Sequence, residues 1–224
     1  MADINDIKIE NLLDLSKTDA ASLFDGKAFP FEVLPEIKSY ILNVLIPSLD
    51  KNEFEQAGEN VWIAKTAKVA PSALINGPTV IFPEAEIRHG AFIRGSAVVG
   101  RGAVVGNSTE LKNCVLFDMV QVPHYNYVGD AVLGFKAHMG AGAITANIKA
   151  DKSNVIIRGG LNIDTGLRKM GAVLGDFADV GCNSVLNPGT VIGRRSHIYP
   201  LSCVRGVVPA RHIYKTGGVA VPKR

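Results

Sequence analysis

The histidines and cysteines of this 224-residue chain limit the chemistry that it can support. The histidines are His89, His124, His138, His197 and His212, and no two of them are close in sequence, which argues against a histidine metal site. The cysteines are Cys114, Cys182 and Cys203. They form no Cys-x-x-Cys pair, which favours free thiols in a reducing compartment. A neutral imidazole remains well suited to accept a proton near neutral pH.

A six-residue repeat runs through most of the chain and must position these groups. Large apolar residues recur at every sixth position from Ile63 to Phe117 and again from Leu174 to Val204, and most follow a small residue by two positions. This period fits neither a helix nor the simple alternation of a strand. It predicts a mainly β chain that forms a left-handed parallel β-helix of hexapeptide repeats, in which three short strands and three corners complete each coil.

Two segments break the repeat, and loops are expected near 118–128 and 147–169. Insertions in repeat proteins often carry the binding surface. His124 and Tyr127 lie in the first segment. The second contains two strand-like stretches on either side of Gly159 and Gly160, which predict a hairpin.

Three regions are expected along the chain. Residues 1–58 form an N-terminal α-helical cap over the open first coil, 59–215 the β-helix domain, and 216–224 a basic tail. Within the cap, 35–46 has apolar residues at helical spacing between Pro35 and Pro47.

Charge and hydropathy exclude some partners. The net charge of +3 is too small to predict nucleic-acid binding. No stretch reaches the roughly 20 apolar residues of a membrane span, so no membrane partner is expected. The acidic N-terminus lacks the apolar core of a signal peptide, and a cytoplasmic location is therefore expected.

The residues around the two breaks resemble a known family. The stretch His124-Tyr-Asn-Tyr127-Val-Gly-Asp-Ala and the stretch from Met139 to Asn147 are similar to the acetyltransferase domain of bifunctional N-acetylglucosamine-1-phosphate uridyltransferases. The stretch that begins at Asp164 resembles more closely the C-terminal domains of archaeal-type sugar-phosphate nucleotidylyltransferases. The resemblance covers 60–215, and the nucleotidylyltransferase half has no counterpart in this sequence.

The resemblance implies an acetyl-CoA-dependent N-acetyltransferase. The acceptor would be a hexosamine 1-phosphate similar to glucosamine 1-phosphate, and no metal would be required. The enzyme would be a homotrimer with its binding grooves between subunits.

The resemblance also implies the site residues. His124 would be the general base, and Glu110 the carboxylate that orients it. The counterparts of the residues that bind the sugar phosphate are Arg94, Lys112, Tyr127, His138, Asn147 and Lys152. The counterparts for acetyl-CoA are Ala141, Gly142, Cys182, Pro200 and Lys215. A backbone N–H at Ala141 or Gly142 would face the thioester carbonyl.

Three of these positions depart from the family pattern. His138 replaces an asparagine that contacts the sugar, Cys182 replaces a serine, and Pro200 replaces a small residue. Another amino-sugar, nucleotide-sugar or hydroxyl acceptor therefore stays open. Outside acyl transfer, the alternatives are a non-catalytic hexapeptide-repeat scaffold and a γ-type carbonic anhydrase, which the histidine spacing disfavours.

Overall fold

The computed structural model describes residues 3–160 and 162–223, and a parallel β-helix of about eight coils dominates it. Each coil contributes one strand to each of three faces. Face 1 contains β2 (Val61–Ala64), β5 (Thr79–Ile81), β8 (Ala97–Val99), the second halves of β10 (Glu110–Leu116) and β12 (Tyr127–Leu133), β17 (Ala172–Leu174), β20 (Thr190–Ile192) and β23 (Val207–Val208).

Face 2 contains β3 (Lys68–Val69), β6 (Glu86–Ile87), β9 (Val104–Asn107), β11 (Gln121–His124), β13 (His138–Met139), β18 (Asp179–Val180), β21 (His197–Ile198) and β24 (His212–Lys215). Face 3 contains β4 (Leu74–Ile75), β7 (Phe92–Ile93), the first halves of β10 and β12, β14 (Ile144–Thr145), β19 (Val185–Leu186) and β22 (Cys203–Val204). Two further strands pair antiparallel at the ends of the β-helix, β1 (Phe54–Gly58) with β2 and β25 (Val219–Pro222) with β24.

The hexad residues fill the inside of the prism, as the repeat predicts. Ile81, Ile93, Leu111, Leu133 and Met139 are completely buried. Successive side chains of a strand point to opposite faces, so the residue before each of these points outward. The predicted fold class is confirmed.

The N-terminal segment lies along face 1. It contains α1 (Ile9–Leu12) and a longer helical stretch made of α2 (Ile37–Tyr40), a π-helical turn (Ile41–Leu45) and α3 (Ile46–Ser48). Short 3₁₀ turns lie at Ile4–Ile7, Leu15–Lys17, Ala21–Phe24 and Pro30–Val33. None of the described helices is long and apolar enough to cross a membrane.

This segment covers face 1 over several coils of the β-helix. α2 packs against β10, and the turn Pro30–Val33 packs against β12. The Asp176 carboxylate accepts a hydrogen bond from the amide of Asp14 at 2.8 Å, far along the prism from the first coil. From β5 to β20 the outward residues of face 1 are buried valines: Val80, Val98, Val115, Val132, Val173 and Val191. The apolar area of these valines explains why the segment lies along the face.

Segment 118–128 is not a loop, in contrast to the expectation from the repeat. It contains β11 and the start of β12. The repeat looks interrupted here because one corner residue is lost, which changes the phase of the repeat. Leu111 pairs with Ile93, eighteen positions earlier, whereas Cys114 pairs with Ala97, seventeen positions earlier. The missing residue lies in the corner between face 3 and face 1. The residues of β12 pair with those of β10 seventeen positions earlier, so β12 lacks the same corner residue.

The second break is an insertion at the same corner, one coil later. It contains the predicted hairpin, formed by β15 (Ile156–Ile157) and β16 (Ile163–Asp164). A bridge between Ile148 and Lys169 closes its base. The domain limits expected at 58 and 215 stay predictions.

Candidate functional site

A buried carboxylate organises the corner between face 3 and face 1, which we call the 3–1 corner. β12 has one residue fewer than a regular coil at this corner, and Asp130 makes the turn there in the left-handed conformation, at φ 48°. Its carboxylate accepts hydrogen bonds from Lys112 Nζ at 2.8 and 2.9 Å, from Asn113 Nδ2 at 2.9 Å and from Asn147 Nδ2 at 2.6 Å. Lys112 and Asn147, predicted to bind substrate, are therefore held by one group.

Tyr127 and Arg94 extend this cluster. The Tyr127 hydroxyl accepts a hydrogen bond from Asn147 Nδ2 at 3.1 Å. Burial raises the pKa of Tyr127, and the carboxylates of Asp130 and Glu110 raise it further. Arg94 Nη1 donates to Glu110 Oε1 at 2.7 Å, and this bond raises the pKa of Arg94. Four of the six residues predicted to bind substrate thus lie together at the 3–1 corner.

The charges of the cluster are balanced internally. Lys112 faces Asp130, and Arg94 faces Glu110. An added phosphate would therefore have to share these cations with the carboxylates. Lys152 lies in the inserted loop with an exposed side chain, which makes no hydrogen bond to the cluster in the described residues.

A second set of predicted residues lies along the corner between face 2 and face 3, which we call the 2–3 corner. His124 is exposed at the end of β11. Ala141, Cys182 and Pro200 occupy the same position in later coils, and backbone hydrogen bonds of 3.0, 2.8 and 2.9 Å connect the successive turns from His124 to the one that contains Pro200. From His124 to Pro200 the corner therefore forms a regular column of stacked turns.

The backbone N–H groups of this column differ in their availability. The Gly142 N–H donates to the carbonyl oxygen of His124 at 3.0 Å. The N–H groups of Ala141 and Cys182 make no hydrogen bond within the described parts of the chain. Of the two oxyanion donors considered from the sequence, only Ala141 is therefore free for a ligand.

Asn126 is a positioning residue that the sequence did not reveal. Its side chain is buried, with 2% exposure. Oδ1 accepts the backbone N–H of His124 at 3.1 Å, while Nδ2 donates to the carbonyls of Gly140 and Ala143 at 2.8 and 3.0 Å. Asn126 thus fixes the turn of His124 to the turn of Ala141. The available signal was an amide at a hexad position where other coils have Ala, Ser or Thr.

The remaining predicted residues lie on face 2. His138 Nδ1 contacts Asp179 Oδ1 at 2.8 Å, away from the Asp130 cluster. Lys215 ends β24, the strand that follows β21 on this face.

The predicted orienting role of Glu110 is not supported by a direct contact, because Glu110 makes no hydrogen bond to His124 in the described residues. The described residues contain no group of three His, Cys, Asp or Glu side chains arranged to hold a metal ion.

The fold and the repeat define the chain as a hexapeptide-repeat protein. Residues 75–192 match the family model of the GMPPB C-terminal domain, and the chain belongs to this family. It is 30% identical to the bifunctional protein GlmU of Methanococcus maripaludis, with 87% of this chain and 48% of that protein covered.

Two further proteins are similar to this chain. The chain is 29% identical to a bifunctional sugar-1-phosphate nucleotidylyltransferase/acetyltransferase of Sulfurisphaera tokodaii, with 95% of this chain and 57% of that protein covered. A hexapeptide transferase family protein from Anaplasma phagocytophilum superimposes with a TM-score of 0.43 at 18% identity, over 73% of this chain and 80% of that chain. The chain spans about half the length of these two curated relatives.

Proposed function

We propose that this chain transfers an acetyl group from acetyl-CoA to the amine of a sugar phosphate. The column on the 2–3 corner carries the proposal. It combines an exposed imidazole, His124, with free backbone N–H groups at Ala141 and Cys182. The Sulfurisphaera tokodaii relative is named as an acetyltransferase as well as a nucleotidylyltransferase, which supports the same chemistry.

In this proposal, the acceptor amine attacks the thioester carbonyl carbon and the C–S bond breaks. His124 takes the proton that the nitrogen loses, and CoA leaves as the thiolate. The Ala141 N–H stabilises the oxyanion of the tetrahedral intermediate, an effect typically worth about 10²–10³ in rate. Asn126 keeps the base and this donor at a fixed separation, because it bonds to both turns. The arm of acetyl-CoA would continue past Cys182 and Pro200 towards Lys215.

The Asp130 cluster supports a polar acceptor. Asn147 and the Tyr127 hydroxyl present hydrogen-bonding groups suited to sugar hydroxyls. Lys112, Arg94 and Lys152 supply cations for a phosphate. Because Lys112 and Arg94 are already paired with carboxylates, we propose that Lys152 contributes the uncompensated charge. A hexosamine 1-phosphate is our first choice of acceptor, with other amino sugars and nucleotide-linked sugars as alternatives.

We also propose that the active form is a homotrimer. The N-terminal segment covers face 1, which leaves face 2, face 3 and the 2–3 corner for contact with other copies. Tyr125 follows His124 and is 64% exposed, and Leu201 follows Pro200 on the same corner and is 74% exposed. Apolar side chains beside the column suit a neighbouring prism that closes a groove over it. Light scattering that gives a monomer would contradict this part of the proposal.

The test compares two histidines on the same corner. His124→Ala is expected to lower the rate of acetyl transfer by about 10²–10⁴-fold, as removal of a general base does. His89→Ala is the matched control, since His89 occupies the same corner position two coils earlier. The measurement is thiol release from acetyl-CoA with glucosamine 1-phosphate as acceptor. Equal rates for the two variants would overturn the assignment of His124.

A further inference from the structure

A cavity lies between the inserted loop and the 3–1 corner, beyond the Asp130 cluster. Its volume is about 410 Å³. Charged and amide side chains line it from both sides: Lys149, Asp151 and Arg158 from the loop, and Asn187 and Arg205 from the corner. None of these residues has a role in the proposed acetyl transfer.

Two glycines bring the two arginines of this cavity together. Arg158 precedes Gly159, and Arg205 precedes Gly206. A Cβ on Gly206 would lie 2.6 Å from the carbonyl oxygen of Arg158, and a Cβ on Gly159 would lie 2.8 Å from the amide nitrogen of Val207. Both distances are too short for any other residue. The close approach of the hairpin to the coil at this point therefore requires both glycines, and it places both arginines at one cavity.

The cavity carries positive charge that the chain does not balance. Three cations and one carboxylate line it, which gives a net charge of +2. Lys149 already contacts Asp151 at 3.3 Å. Arg158 and Arg205 form no ion pair with a carboxylate in the described residues, and Arg205 has only a long 3.5 Å contact with Asn187. This contrasts with the Asp130 cluster, where both cations are paired.

We propose that this cavity binds a phosphoryl group, with Arg158 and Arg205 as its principal ligands. The guanidinium group presents parallel N–H donors that match the oxygens of phosphate, and two such groups suit a diphosphate. The ligand is either a free anion or the phosphoryl part of a larger substrate. This inference does not require that the chain transfers an acetyl group.

The experiment titrates the full chain with inorganic pyrophosphate in a calorimeter. Arg158→Ala with Arg205→Ala is expected to weaken binding at least about tenfold, since each charge-assisted hydrogen bond contributes that much or more. The matched control removes two cations from the corner between face 1 and face 2, as Lys136→Ala with Arg211→Ala. Arg158→Lys with Arg205→Lys keeps the charge and serves as a second test, in which an intermediate loss of affinity for pyrophosphate is expected.

The outcomes separate the proposal from general charge attraction. No binding of pyrophosphate, equal binding by the alanine pair, or an equal loss in the Lys136 and Arg211 control would overturn it. Glucosamine 1-phosphate added as competitor identifies the source of the ligand. Displacement supports a phosphoryl group of the sugar substrate, and no displacement supports a free anion. Failure of acetyl transfer by the wild-type chain would leave all of these binding results unchanged.

Discussion

Removal of the Asp130 carboxylate should destabilise the chain more than any other single change at the 3–1 corner. Asp130→Ala leaves the ammonium of Lys112 and the amides of Asn113 and Asn147 without their acceptor. The Lys112 side chain is only 26% exposed, so water replaces the carboxylate incompletely. Loss of one partner of a buried pair costs about 3–5 kcal/mol. For a chain of this size the midpoint of thermal unfolding should fall by about 6–20 °C.

Differential scanning calorimetry measures this change against two controls. Glu86→Ala breaks the exposed pair with Arg88 and should cost about 1 kcal/mol or less. Lys112→Met combined with Asp130→Leu should recover the part of the loss that comes from the unpaired ammonium, while the amides of Asn113 and Asn147 stay without their acceptor. If Asp130→Ala lowers the midpoint no more than Glu86→Ala does, the carboxylate does not organise this corner and the reasoning is refuted.

Four further predictions concern other groups. Asn126→Ala should lower the rate of acetyl transfer with little change in KM for acetyl-CoA, and an unchanged rate would exclude its positioning role. Burial raises the pKa of Cys114 to about 12, so N-ethylmaleimide should label it only after unfolding, as peptide mass spectrometry can check. In the same assay acetyl-CoA should protect Cys182 but not Cys203, and equal protection would count against the proposed column. The hydrogen bond from the imidazole of His138 lowers the pKa of Asp179 below its ordinary value of 3.8. The ionised carboxylate should therefore stabilise the folded chain above pH 3.8, and this contribution should be lost as the pH falls through the lowered pKa of the folded state. Urea unfolding of wild type and Asp179→Asn measures it, and a difference in stability that persists in strong acid would contradict the prediction.

The sequence predicted the β-helix because the period of six has no other common explanation. It did not predict the place of the N-terminal segment, although the signal was present. From β5 onwards the outward residue of every third hexad is valine, and Val98, Val115 and Val132 are buried. A face that is apolar on both sides must be covered. The signal is a longer period of three hexads, which the six-residue period alone does not contain.

The site residues stay a prediction, and the sequence did not predict how their side chains pair. The predicted break at 118–128 lies between the two corners that have lost a residue, beside Asn113 and beside Asp130. The loss of one corner residue looks like a loop when only spacing is considered. The charge balance of Lys112 and Arg94 depends on which side chains meet across coils. Such contacts follow from register, which the hexad pattern does not specify for outward residues.

Thiol release by the wild-type chain tests the central claim most directly. Purified protein is mixed with acetyl-CoA and, in turn, with glucosamine 1-phosphate, other hexosamine phosphates and a nucleotide-linked amino sugar. The account predicts release of one thiol for each acetylated product, with at least one amino-sugar acceptor and with loss of turnover in His124→Ala. Thiol release no faster than hydrolysis for every acceptor would contradict it and would favour a non-catalytic scaffold.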